Sequence, residues 1–472
     1  MNWHDEDLRP SQLPGPLAVA ADRAAAYVAG LADRPVWPDV TVDDLRAAFG
    51  DLPDDPQDPA RVVRDLAAAA EPGLVATGSP RYFGFVIGGA LPAALAADWL
   101  TSTWDQNAGL YVGGPSAAVA EETAGRWALD LLGLPATASF AFVTGCQMAH
   151  VTALAAARHQ VLARAGWDVE RRGLAGAPAV RVLAGDSRHA TVDRALRFLG
   201  IGTDAVVPVP TDGSGRIRVD ALAGALAEAA GPTIVCAQVG EINTGAADPV
   251  AEVCEVAHAA GAWVHVDGAF GLWAAASPAL RPALAGVDAA DSWATDFHKW
   301  LNVPYDSGFA ACAHPEAHRA AMGTRAAYLD HADAGGPRDQ MDWNPEFSRR
   351  GRGFAVYAAL RSLGRTGVAA LVDRGCEMAR RFAAGLAAVD GAEVLNDVVL
   401  NQVLVRFRHP DGDAGYTGRV IADVQAAGTC YVTGTTWRGA DAMRISIVNW
   451  QTTADDVDRS LAAIAAAARA AR

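Results

Sequence analysis

Between residues 140 and 312, short runs of apolar and β-branched residues alternate with longer alanine-rich stretches. The short runs at 140–143, 180–184, 205–209, 233–238, 263–266, 292–295 and 308–312 have the length of strands. The stretches at 148–163, 219–230 and 250–260 have the length and apolar spacing of helices. This alternation predicts an α/β fold, with βα units building a mostly parallel central sheet. Residues 1–75 read instead as helices joined at Pro35, Pro38, Pro53, Pro56 and Pro59, an arm that packs on a neighbour rather than forming its own core. Beyond residue 367 a long helix (367–389), strands near 403–407 and 443–448 and a last alanine-rich helix (454–472) predict a small α+β C-terminal domain. The expected division is an arm at 1–75, a large domain at 76–367 and a small domain at 368–472.

Composition narrows the class of function. The chain has 472 residues, 51% of them apolar, enough for a large core and more than one domain. Its 54 acidic residues outnumber 39 Lys and Arg, a balance that repels phosphate backbones and anionic lipid, so nucleic-acid and membrane partners are not expected and a small-molecule partner is. The most apolar stretch, 85–104, is interrupted by Pro92 and Asp98 and falls short of a membrane span. The acidic start lacks the basic and apolar regions of a secretory leader. Six scattered cysteines without a C-x-x-C pair indicate neither a zinc site nor a disulfide framework, and reduced thiols in the cytoplasm are the expectation.

Four segments carry candidate chemistry, and each follows a predicted strand at the edge where open α/β sheets bind ligands. Asp296-Phe297-His298-Lys299-Trp300 places a lysine just past the strand at 292–295, a position suited to a Schiff base. In Trp263-Val264-His265-Val266-Asp267-Gly268-Ala269, the carboxylate of Asp267 ends an apolar strand, where burial is costly without a cationic partner. A protonated pyridine nitrogen is such a partner, although a helix-capping carboxylate has the same pattern. Thr144-Gly145-Cys146-Gln147 turns from strand into helix, and helix N-termini bind phosphate through backbone N–H groups. Asp186-Ser187-Arg188-His189 offers a histidine able to lie flat on an aromatic cofactor.

Taken in this order, these residues resemble the group II decarboxylases dependent on pyridoxal phosphate (PLP), a family that includes aromatic-L-amino-acid, histidine and glutamate decarboxylases. The resemblance runs from about residue 78 to the C-terminus and is most specific over 292–308, which matches the family's lysine signature almost throughout. It implies the aspartate-aminotransferase-like fold (fold type I) and PLP bound as a Schiff base to Lys299. It further implies Asp267 on the pyridine nitrogen, Ala269 and His189 on opposite ring faces, and Gly145, Cys146, Gln147 and His298 around the phosphate. Asp296 joins the cofactor site as part of the lysine signature. Arg444 matches the small-domain arginine near the substrate carboxylate, Phe85 falls in the segment resembling the aromatic pocket wall, and Asn107 adds a polar substrate-facing group. A homodimer with active sites at its interface is implied as well, and no metal is. The expected reaction is decarboxylation of an L-amino acid, aromatic favoured, to an amine and carbon dioxide.

Three positions depart from the family pattern. Gln147 stands where a serine is common, and Ile242 where a threonine is. In the shortened loop 329–342, Gln340 takes the position of the tyrosine that protonates Cα, while Tyr328 matches a structural tyrosine ahead of the loop. His331, Asp339 and His189 are the candidates to replace that acid, along with water. Relatives without the tyrosine tend towards oxygen-consuming formation of an aldehyde, which is the alternative reading here. Decarboxylation of an acidic amino acid is a further alternative, because Trp104-Asp105-Gln106-Asn107 is more polar than an aromatic pocket needs.

Overall fold

The computed structural model describes residues 14–228, 231–324 and 336–471. Seven strands form the central sheet: β1 (Ser139–Val143), β2 (Arg181–Gly185), β3 (Val206–Val209), β4 (Thr233–Gln238), β5 (Trp263–Asp267), β6 (Ser292–Asp296) and β7 (Gly308–Cys312). Their order is β1-β7-β6-β5-β4-β2-β3, and β7 alone runs antiparallel to its neighbours. Every residue of β1, β5, β6 and β7 is buried, as expected where helices cover both faces of a sheet. All seven runs read from the sequence are strands. The third starts one residue later than expected, because Thr203–Ala205 closes a tight 3₁₀ turn ahead of it.

The helices follow the expected pattern at Cys146–Arg164, Val219–Ala227 and Val250–Ala259. The long helix differs. The segment Gly353–Leu386 is two helices that meet at Gly364, whose φ of 62° is left-handed, and the second of them covers the helix expected from residue 367. Together they pack on the helices Pro92–Trp104, Pro115–Leu131 and Ala454–Ala470. The second sheet is antiparallel, in the order β10 (Thr433–Trp437), β11 (Ala440–Ser446), β9 (Gln402–Phe407), β8 (Ala392–Val394). It has its own apolar core, in which Phe382, Val403, Val420, Ile445 and Ile464 meet Phe83 from upstream.

The described part of the arm comprises the helices Pro14–Ala29, Val42–Phe49 and Pro59–Ala70, of which only Ala69 is buried. Leu17, Val28, Val62 and Leu66 lie exposed on them. Among the described residues no helix is long and apolar enough to cross a membrane. The six cysteines are all unpaired and buried.

Candidate active site

Because β1, β2, β4, β5 and β6 run in the same direction, the segments that follow them gather at one edge of the sheet. There they enclose a cavity of about 240 Å³ lined by Gly145, Cys146, Gln147, His189, Thr191, Gln238, Gly240, Ile242, Asp267, Ala269, Phe270, Asp296, His298 and Lys299. Nine residues expected at the site from sequence are therefore in one place.

Lys299 enters from the turn after β6, and its Nζ lies 3.0 Å from Asp296 Oδ2. Burial alone would lower the pKa of this amine, but the Asp296 carboxylate overrides it and holds the amine above its ordinary value. Asp296 Oδ1 also accepts the Cys146 N–H at 2.6 Å, tying the lysine turn to the helix start that opens the cavity. His298 Nδ1 accepts the Ser307 N–H at 3.2 Å, so the neutral ring carries its proton on Nε2, which lies 3.4 Å from Asp296 Oδ1. Two glycines permit these approaches. A Cβ on Gly88 would lie 2.1 Å from the Lys299 carbonyl, and one on Gly308 would lie 2.4 Å from Gly145 Cα.

Asp267, the last residue of β5, is buried and lines the same cavity. Burial would raise its pKa, yet His150, with His189 and Lys299 further out, draws it well below the ordinary carboxylate value. Its Oδ1 accepts the Ala269 N–H at 3.2 Å. His189 caps the helix Ala190–Phe198, with its Nδ1 accepting the Thr191 N–H at 3.3 Å, so the neutral ring presents Nε2–H. Its outer face is open to solvent, while crowding by the walls lowers its pKa through partial loss of hydration. Gln147 reaches across to donate to the Thr191 carbonyl at 3.2 Å, leaving its Oε1 buried without a protein partner.

The other expected residues lie elsewhere. Arg444 sits on β11, with its Nε buried and unpartnered. Burial lowers its pKa, and Glu241 partly offsets this. Phe85 is exposed in a left-handed conformation (φ 59°) and does not line the cavity. Asn107 does not line it either. Its Oδ1 accepts the N–H groups of Gly109 and Arg349, at 3.1 and 3.3 Å, and so pins two loops together. Asp339 accepts the Tyr111 N–H at 2.8 Å, and Gln340 is buried against the Ala118 carbonyl. Neither lines the cavity, and His331 and Tyr328 lie outside the described residues.

The pyridoxal-dependent decarboxylase conserved domain matches residues 44–409, most of the chain. This chain belongs to the pyridoxal-dependent decarboxylase family. It is 26% identical over 452 residues to the aromatic-L-amino-acid decarboxylase of Bacillus atrophaeus, covering 93% of this chain and 92% of that protein. It is 28% identical over 424 residues to a phenylacetaldehyde synthase of a Rosa hybrid cultivar, covering 84% and 81%. A crystal structure of Oryza sativa TDC with PLP and tryptamine superposes with a TM-score of 0.91, at 24% identity and 99% coverage of both chains, which establishes fold type I. The decarboxylase therefore uses pyridoxal phosphate and acts on an amino acid. The cavity suits that cofactor, since it is lined by an amine, a buried carboxylate and a helix start beside the orphaned Gln147 oxygen.

Several residues that build the decarboxylase site were missed in the sequence. Asn302 is fully buried, with Oδ1 accepting the N–H groups of Gly89 (2.7 Å) and Trp450 (3.1 Å) and Nδ2 donating to the Trp300 and Val448 carbonyls (both 2.8 Å). It joins the lysine turn to the segment before the helix Pro92–Trp104 and to the end of the second sheet. Its φ of 55°, which asparagine tolerates better than most residues, has no signature in the sequence. One signal was there to be found: Lys299 is the only lysine in the chain.

Proposed function

We propose that this decarboxylase converts an aromatic L-amino acid to its amine and carbon dioxide. The observation that carries the reading is that Lys299, held by Asp296, and the ionised Asp267 line one cavity. When bound, PLP supplies an electron sink for the pair released as the bond from Cα to the carboxylate breaks.

The chain's residues would do the rest. Lys299 would hold the cofactor covalently, and Asp267 would keep the ring nitrogen protonated by facing it with a buried negative charge. His189, fixed by Thr191, would cover one face of the ring and Ala269 the other. Gly145, Cys146, Gln147 and His298 would surround the phosphate, with Asp296 holding the turn together. Arg444 has an unsatisfied buried N–H and suits a substrate carboxylate, fixing which bond at Cα is aligned to break. Phe85 and Asn107 would reach substrate only from a neighbouring copy, in keeping with a homodimer whose arms (1–75) wrap each other around the larger (76–367) and smaller (368–472) domains. The protein would work in the cytoplasm.

Gln340 favours a second reading. It stands at the tyrosine position and is buried away from the cavity, and a relative of similar identity is a phenylacetaldehyde synthase. If no side chain delivers a proton to Cα, molecular oxygen would take up the electron pair instead, and hydrolysis would give aldehyde, ammonia and hydrogen peroxide. Incubation in air with aromatic and acidic L-amino acids, recording carbon dioxide, amine, aldehyde and hydrogen peroxide, separates the two. Amine matching carbon dioxide supports the first reading. Aldehyde with peroxide overturns it in favour of the second.

A further inference from the structure

Behind Asp267, on the side away from the cavity, lies a chain of buried polar groups that catalysis as described does not use. His150, from the helix Cys146–Arg164, places its Nε2 3.5 Å from Asp267 Oδ2 and its Nδ1 2.9 Å from His265 Nε2. His265 Nδ1 lies 2.9 Å from Ser292 Oγ, which is 2.9 Å from Trp263 Nε1. Trp263, His150, His265 and Ser292 are all completely buried. Nothing about a parallel-sheet core requires two histidines and a serine in line, and an isolated buried imidazole is costly.

The protons along this chain can be assigned from one fixed end. An indole N–H can only donate, so Ser292 Oγ accepts from Trp263. Burial first, then His150, pushes the His265 imidazole down to about 3, so His265 is neutral and has a single N–H. With the Ser292 hydroxyl donating to His265 Nδ1, that N–H is on Nε2 and points to His150 Nδ1. His150 then carries its own proton on Nε2, which faces Asp267. The Cys146 sulfur shares this N–H at 3.5 Å, and the Cys146 thiol stays protonated because burial, followed by Asp296 and Asp267, raises its pKa. The His150 Nε2–H thus points at the carboxylate, with His265, Ser292 and Trp263 lined up behind it. Facing Asp267 from the cavity side are Lys299, His189 and the Cys146 thiol, which lies 4.0 Å from Asp267 Oδ1.

We propose that Trp263, Ser292, His265 and His150 form a positioning relay that orients Asp267 and keeps it anionic, so that two histidines outside the cavity set how firmly the cofactor's ring nitrogen is held protonated. This rests on Asp267 pairing with that nitrogen. The relay acts along a line: His265 affects the ring without touching either the ring or Asp267.

The test uses holoenzyme reconstituted with PLP labelled with ¹⁵N at the ring nitrogen, whose resonance reports directly whether that nitrogen is protonated. Wild type is expected to give the protonated signal. His150→Leu and His265→Leu are expected to move it towards the unprotonated position and to lower kcat about tenfold or more, the effect of one pKa unit, with KM within about threefold. His150→Gln, which returns an N–H near Asp267, is expected to recover most of both. If the leucine variants do not fold, Ser292→Ala decides by the same resonance, with an intermediate shift expected. A wild-type resonance in the folded histidine variants, or in Ser292→Ala where it must decide, overturns the relay while leaving the Asp267 pairing intact, provided Asp267→Asn loses the protonated signal. A protonated ring in Asp267→Asn overturns the pairing itself, and the relay falls with it.

Discussion

Lys299 and Asp296 show how a buried site sets a reactivity that the amine does not have in water. The amine is held charged by Asp296 at 3.0 Å, so it must give up a proton before it can bond to a cofactor aldehyde. Cofactor loading into the empty enzyme should therefore speed up as pH rises. Asp296→Asn removes the charge that opposes burial, lowering the amine's pKa, and should shift that dependence to lower pH. Stopped-flow absorbance of the binding cofactor measures this, and an unshifted profile would contradict the assignment. At this scale the sequence was most readable where chemistry demands an unusual residue: a lysine just past a strand end, a carboxylate ending an apolar strand, a glycine before a helix. It was least readable at His150 and His265, which sit among apolar neighbours and resemble ordinary core positions, and at Asn302, which resembles a loop residue. Asn302→Ala leaves four buried groups without a partner and places alanine in a left-handed conformation. It should cost roughly 2–4 kcal/mol of stability in denaturant titration, whereas a loss under about 0.5 kcal/mol would show that water replaces the hub.

Among the elements, the strands were legible because a parallel sheet covered on both faces demands continuous apolar runs. The helix expected from 367 matches the second of the two helices in Gly353–Leu386, while the first, ahead of the break at Gly364, was not anticipated. Histidines that join elements make stability depend on pH. His318, on the helix Pro315–Met322, donates through Nε2 to the Trp343 carbonyl at 2.9 Å and accepts from Ser139 on β1 at 2.9 Å. Burial, then Arg338, pushes its imidazole down to about 3, and His265 is likewise at about 3. Folding thus holds both rings neutral while the unfolded chain binds the protons. Stability is complete above the ordinary imidazole value of 6.5 and is lost as pH falls from there towards 3. Each ring sheds about 1.4 kcal/mol per pH unit in that window. Denaturant midpoints across this range should fall less steeply in His318→Gln, and equal slopes would contradict the assignment.

At the scale of the whole molecule, the helices of the arm present Leu17, Val28, Val62 and Leu66 to solvent, while only Leu31, Val36 and Ala69 are buried among the arm's described residues, a surface that a second copy would cover. Sedimentation should give twice the chain mass, and removal of residues 1–75 should abolish both the dimer and decarboxylation; a monomeric full-length enzyme that turns over would contradict this. The fold class and the meeting of strand ends at one edge could be read from sequence because they depend on local patterning. The placement of Phe85 and Asn107 depends on a left-handed backbone at one and on a bond to a distant loop at the other, which carry no local pattern, and could not. The central claim is that Lys299 carries the cofactor, and the chain itself simplifies its test, since no other lysine competes. Borohydride reduction of the PLP-loaded enzyme followed by peptide mass mapping should find one cofactor per chain, on the peptide containing Lys299. Reduced enzyme without that adduct, or with the cofactor only on the N-terminal amine, would contradict the account.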